Sequence, residues 1–280
     1  MSGRLQTLKG TSETLVLRYP NLVDELLRRG YHVLGACYFD RDEKYSIPHD
    51  LINIRVESFV EEINKYTAAH ADVIDADSIG VLGISKGGEL SLLLASLYPI
   101  FKFVIPIVPS HVVFQGSSIS LSHHSSWMLN GKELPFLPFA NYSPKTWMCG
   151  LSYGAAMIGV ISGTMVNCGP MHFASMQDEE ALEEATIKVE NINGPIFFVS
   201  AKEDQFWPSA ALSDLAIERV NKRGFRHPVK NLAEPGDHFS YDNHWEIILD
   251  AMDAAAQYAR DGDAAKCQQK FDEAVGHAST

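Results

Sequence analysis

The chain reads as an α/β protein with a mostly parallel sheet flanked by helices. Short apolar runs of strand type alternate with helix-period segments as far as about Ala259, and one such strand runs through a glycine-rich turn into a helix at Ser85. Length and composition agree: 280 residues at 46% hydrophobic and 21% charged supply one large core, with too little bias for disorder. A single domain over residues 1–260 is therefore expected, followed by a polar tail, 261–280, that is a loose helix or disordered.

The candidate strands are Tyr31–Phe39, Ser78–Ile84, Phe101–Val108, Pro195–Ser200 and a weaker one at Pro228–Leu232. Between the first two, Val56, Phe59, Val60 and Ile63 fall at i, i+3, i+4 and i+7, the apolar face of a helix that covers the sheet. From Pro109 to about Met176 the alternation gives way to polar and aromatic residues and then to the small-residue stretch AAMIGVISGTMV. This segment, 109–176, reads as a lid-like insertion, the kind of excursion that carries substrate walls in α/β enzymes.

Charge and targeting signals narrow the function classes. Lysine and arginine number 23 against 35 aspartates and glutamates, and the net charge of −12 opposes nucleic-acid binding. No apolar run reaches the roughly 20 residues of a membrane span, and the first residues lack a signal-peptide core, so a soluble cytoplasmic protein is expected. Cys37, Cys149, Cys168 and Cys267 show neither a CxxC pair nor zinc-ligand spacing, and no metal or cofactor is expected.

Two segments match G-x-S-x-G, the pattern in which small residues permit a sharp strand-to-helix turn that lifts a serine hydroxyl clear of a sheet: Gly83–Gly87 and Gly150–Gly154. Context separates them. Ser85 follows SIGVLGI and precedes a helix whose Leu90, Leu93, Leu94 and Leu97 share one face before Pro99 stops it. Ser152 has Pro144 upstream, no β-branched run before it, and Gly159 and Gly163 after it. Ser85 is the candidate nucleophile. At the start of a helix its neighbour Lys86 offers a backbone N–H to a developing oxyanion, and a second donor is expected from the Gly10–Thr14 turn at Ser12 and Glu13.

A serine hydroxyl needs a base, and α/β-hydrolases supply it in the chain order serine, acid, histidine. Directly after PIFFVS comes Ala-Lys-Glu-Asp, which makes Asp204 the candidate acid, with Glu203 as the alternative. Beyond the last strand, Gly236-Asp237-His238 makes His238 the candidate base, with Asp237 a neighbouring carboxylate too close in sequence to orient it. His123, His124 and His244 read as surface or lid residues. The adjacent His123 and His124 carry no partner carboxylate motif for a metal.

GVLGISKGGELSLLLAS around Ser85, FFVSAKEDQFWPS around Asp204 and EPGDHF around His238 together resemble the C-terminal domain shared by acyl-CoA thioesterases and bile acid-CoA:amino acid N-acyltransferase. RYPNLVDELLRRGYHVLGACYF and WMLNGKELPFLP extend the resemblance over most of the chain to about residue 250. It implies an α/β-hydrolase fold with Ser85 as nucleophile, Asp204 as acid and His238 as base, acting on a small-molecule acyl thioester or ester. The few residues before Gly10 predict a shortened N-terminal part of the sheet. The acyltransferase branch is associated with cysteine at the nucleophile position, so Ser85 favours hydrolysis; an N-acyltransferase, a carboxylesterase and a catalytically silent binding module are the alternatives. For a CoA substrate, Lys132, Lys145, Arg223 and Arg226 are candidates for a cationic rim.

Overall fold

The computed structural model describes residues 6–9 (backbone), 19–39, 47–116, 123–139 and 167–278. Six strands form one all-parallel sheet: β1 (Gln6–Lys9), β2 (Leu34–Ala36), β4 (Ile79–Ile84), β5 (Phe101–Ile107), β8 (Ile196–Ala201) and β9 (Val229–Glu234), in the spatial order β2-β1-β4-β5-β8-β9. Every residue of β4 and β8 is buried, which explains their continuous apolar sequence: a parallel strand covered on both faces has no polar side to alternate.

Two helical layers do the covering. On one face lie α2 (Glu57–Ala69), α3 (Lys86–Leu97) and α6 (Ser209–Lys222), packing Phe59, Leu90, Leu94 and Val220 against Val81, Val104 and Phe198. On the other lie α1 (Pro20–Arg28), α7 (Trp245–Asp261) and α8 (Ala264–Ala278), packing Leu26, Ile248, Met252 and Phe271 against Leu82, Ile105 and Phe197. Neighbouring strand residues thus feed opposite cores.

Several expectations need correction. The segment after Arg260 is no loose tail: α8 buries Cys267, Phe271 and Ala274, and Phe271 meets Phe197 with ring centroids 4.9 Å apart. Those three residues fall at i, i+4 and i+7, an apolar stripe hidden among polar residues. The first strand is much shorter than Tyr31–Phe39, because it pairs on one side only, with β1, and β1 itself is a strand the apolar pattern missed. The last strand is not weak, since all six of its residues pair with β8.

The described part of the insertion 109–176 is tied down. Within it, β6 (Trp127–Leu129) and β7 (Lys132–Glu133) form a hairpin whose Asn130 and Gly131 have φ of 51° and 73°, the left-handed pair that a two-residue turn requires. β6 also pairs in parallel with β3 (Ile54–Arg55) and buries Trp127 completely. After residue 167 follow the short helices α4 (Gly169–Ser175) and α5 (Glu179–Ala185). The second G-x-S-x-G match, around Ser152, lies outside the described residues.

Candidate active site

In an all-parallel sheet every strand ends at the same edge, and the loops at that edge are where α/β proteins bind ligands. Ser85, Asp204 and His238 follow β4, β8 and β9 and so gather there.

Ser85 occupies the residue between β4 and α3 at φ 58°, ψ −122°, a conformation that costs a non-glycine residue about 1–3 kcal/mol. Glycines on both sides of the bend explain how the chain tolerates it. A Cβ on Gly83 would lie 1.9 Å from the Gly87 carbonyl oxygen, and one on Gly88 would lie 2.9 Å from that of Ile107. The bend is locked by backbone bonds: Ser85 N–H donates to Ile107 at 2.8 Å, and Glu89 N–H donates to Ser85 at 3.0 Å. Lys86 opens the helix, where the first N–H groups have no intrahelical acceptor and carry the positive end of the dipole.

The Lys86 side chain turns inward. Its Nζ donates to Glu89 Oε1 and Oε2 at 2.8 and 2.9 Å and to the Phe114 carbonyl at 3.0 Å, and Trp127 Nε1 donates to Glu89 Oε1 at 2.7 Å. Burial pulls the Lys86 ammonium below its ordinary pKa and pushes the Glu89 carboxyl above its own, each opposed by the partner's charge.

Asp204 and His238 come from loops 34 residues apart and meet directly, with Nδ1 2.8 Å from Asp204 Oδ2, both residues being buried. The other carboxylate oxygen accepts the N–H groups of Phe206 and Trp207 at 2.9 and 3.4 Å, so the loop's own backbone aims the carboxylate. The imidazole is clamped by aromatics: Phe206 stacks on it at 4.5 Å, and Phe239 and Trp207 meet it edge-on at 5.5 and 6.1 Å. Trp207 Nε1 in turn donates to the carbonyl of Val108, the residue after the Ile107 that holds Ser85. Between Ser85 Oγ and His238 no hydrogen bond forms in this structure.

The other candidates sort plainly. Glu203 braces the histidine loop: its N–H donates to the Gly236 carbonyl at 3.0 Å and its carboxylate accepts the Gly236 N–H, where Gly236 takes φ 112°. Asp237 caps its own loop by accepting Phe239 N–H at 2.9 Å. His124 pairs with Glu133 and His244 with Glu234, and among the described residues no His, Cys, Asp or Glu cluster forms a metal-ligand set. Ser12, Glu13 and Lys145 lie outside the described residues. Arg223 and Arg226 cannot rim this site: they lie between α6 and the start of β9, at the opposite edge of the sheet. Lys132 is exposed on the β6–β7 hairpin.

Sequence reasoning missed the residues that frame the dyad. Phe206 and Trp207 carry a local signal, the FW pair after Asp204, whereas Glu89, in the first turn of a helix, carries none. His172, on α4, packs edge-on against Phe114, Phe139 and Trp207 at 4.7, 5.5 and 6.1 Å, and Nδ1 lies 2.9 Å from the Cys168 carbonyl. Burial lowers its pKa to about 4, as it does that of His111, so both are neutral at physiological pH.

Residues 54–240 match the family described as BAAT / Acyl-CoA thioester hydrolase C terminal. The chain is 24% identical over 207 residues to a peroxisomal succinyl-coenzyme A thioesterase of Mus musculus, covering 74% of this chain and 42% of that protein. It is 39% identical over 203 residues to acyl-coenzyme A thioesterase 1 of Rattus norvegicus, covering 72% and 41%. The chain thus spans about two fifths of the length of these curated relatives. Among solved structures, the α/β hydrolase GrgF from Penicillium sp. superposes with a TM-score of 0.52 at 13% identity, over 99% of this chain and 90% of that one. An acylaminoacyl peptidase of Pyrococcus horikoshii superposes at 0.56 and 12% identity, over 95% and 39%. At such identities the likeness speaks for fold, and the fold is that of the α/β-hydrolases.

Proposed function

The chain belongs to the BAAT / acyl-CoA thioester hydrolase C-terminal family, and from that premise we propose that it is a serine hydrolase of acyl thioesters or esters, CoA thioesters foremost. The observation that carries this reading is the buried 2.8 Å Asp204–His238 bond at the sheet edge where Ser85 is held in its strained bend. His238, oriented by Asp204, takes the Ser85 proton as Oγ attacks the acyl carbonyl. The oxyanion rests on Lys86 N–H and on a second donor at Ser12 or Glu13. Supporting the latter, Lys9, the residue before Gly10, pairs with Ile84, the residue before Ser85. His238 then protonates the leaving thiolate or alkoxide, and water, activated by the same imidazole, releases the acid and restores Ser85.

A hydroxyl nucleophile favours hydrolysis over transfer to an amino acid, because the esters it forms are less reactive toward amines than thioesters are. No helix among the described residues is long and apolar enough to cross a membrane. The relatives include peroxisomal and mitochondrial proteins, so a cytoplasmic location rests on the sequence reading alone.

The test is Ser85→Ala. Turnover of acyl-CoA and p-nitrophenyl esters should fall by roughly 10⁴–10⁶-fold, with the unfolding midpoint little changed and fluorophosphonate labelling abolished. Equal hydrolysis by variant and parent overturns the assignment; a folded parent that neither turns over nor labels favours a silent binding module.

A further inference from the structure

One residue past the end of β5, the chain adopts a conformation that its sequence disfavours. Val108 is fully buried and branched at Cβ, yet it sits at φ 40°, in the left-handed region that such residues rarely enter. Conformations of this kind persist only where the surroundings over-determine them, and they cluster at functional sites. Here two bonds do so. The Val108 N–H donates to the Val199 carbonyl of β8 at 2.6 Å, and the Val108 carbonyl accepts the Trp207 indole N–H at 2.9 Å.

The place of β5 in the sheet gives these bonds a purpose. It stands between β4, which runs into Ser85, and β8, which runs into the Asp204 loop. Two successive carbonyls at its end serve the two sides: that of Ile107 takes the Ser85 N–H at 2.8 Å, and that of Val108 takes Trp207. Trp207 in turn meets the dyad twice, donating its backbone N–H to Asp204 Oδ1 at 3.4 Å and lying edge-on to the His238 ring at 6.1 Å. The indole is walled in as well. It is buried, His172 of α4 meets it edge-on at 6.1 Å, and Leu212 of α6 packs in the same cluster. The Asp204–His238 bond and the Glu203–Gly236 brace fix the acid and histidine loops relative to each other, not to the serine. The Trp207–Val108 bond supplies that relation, because its acceptor is the next carbonyl after the one that holds Ser85.

We infer that Trp207 is a positioning residue for the proposed reaction: its indole N–H, anchored on the carbonyl of the strained Val108, sets where His238 stands relative to Ser85. Trp207 touches no reacting atom and acts through the imidazole. A ring that only filled space in the core would serve equally well without its donor, and that difference is open to measurement. The inference rests on the Ser85 reading above and goes beyond it in assigning the part that registers dyad against nucleophile.

The experiment replaces the indole of the full-length protein without changing its shape. Trp207→3-benzothienylalanine puts sulfur where the N–H was, and Trp207→5-fluorotryptophan, introduced in the same way, keeps the N–H. Misplacing a catalytic group by an ångström costs about a hundredfold in rate, so the sulfur variant should lose about 10–100-fold in kcat on p-nitrophenyl esters, with KM little changed. Fluorophosphonate labelling of Ser85 should slow in parallel, and the fluorinated variant should match the parent. The downfield proton resonance of the His238–Asp204 bond should persist in both variants, because the dyad stays intact and only its placement changes. An active parent matched by the sulfur variant overturns the inference and leaves the serine reading standing. Slower turnover together with loss of that resonance also overturns it, since Trp207 would then merely hold the acid loop together. A parent that neither turns over nor labels sinks the serine reading, and the inference with it.

Discussion

Two buried pairs of carboxylate and nitrogen base stand at the same edge of the sheet, and they are finished differently. In Lys86–Glu89 every ammonium proton has an acceptor, and the carboxylate also takes Trp127 Nε1 at 2.7 Å and Phe114 N–H at 3.5 Å. In Asp204–His238 the carboxylate is equally well supplied, but no described residue hydrogen-bonds His238 Nε2. A saturated pair fixes where elements sit; a pair with one nitrogen left over can accept a proton. Lys86–Glu89 pins the first turn of α3 to Phe114 and Trp127 and thereby steadies the bend at Ser85, whereas Asp204–His238 is equipped for chemistry.

Replacing one acid in each pair separates the two roles. Asp204→Asn should lower kcat by about 10⁴-fold while leaving the urea midpoint nearly unchanged, since the amide keeps the shape but no longer fixes the imidazole tautomer or stabilises its cation. A small kinetic effect would mean that the dyad is structural after all. Glu89→Ala should instead cost about 3–5 kcal/mol of stability, because it strands a buried ammonium, and Lys86→Met with Glu89→Leu should recover most of that loss. Urea unfolding of the three proteins checks this; if the double variant is as unstable as the single one, packing and not charge governs the pair.

The two neutral histidines sharpen the comparison on the pH axis. His111 and His172 have folded pKa values of about 4 against an ordinary 6.5. Their unfolded forms bind protons that the folded forms refuse, so stability falls as pH drops from 6.5 toward 4. The drop from 6.5 to about 4 corresponds to roughly 3 kcal/mol for each, fully expressed only below pH 4. Unfolding free energies measured across that window should show this slope, and His172→Gln should flatten it; a flat profile in the parent would mean that neither ring is held neutral.

Much of the site was legible in one dimension. The candidate nucleophile carries a local signature because a tight bend needs glycines at fixed offsets, and the candidate acid and base sit just past apolar runs that end at the carboxyl edge of the sheet. The Asn130-Gly131 turn and the FW pair beside Asp204 were written just as locally and went unread. Other features had no local signature. Glu89 pairs with a tryptophan 38 residues away, His172 is neutral only because three aromatic rings enclose it, and α8 looked like a tail until Phe197 supplied the surface for Phe271.

What the amino-acid order determined unaided is therefore the class of the fold and the bend at Ser85, since periodicity and glycine spacing act between near neighbours. Tertiary structure alone decided which acid meets His238, that Glu203 braces the loop, and that Arg223 and Arg226 lie at the opposite edge of the sheet. Those outcomes depend on which loops a parallel sheet brings to the same edge, and chain neighbours carry no record of that.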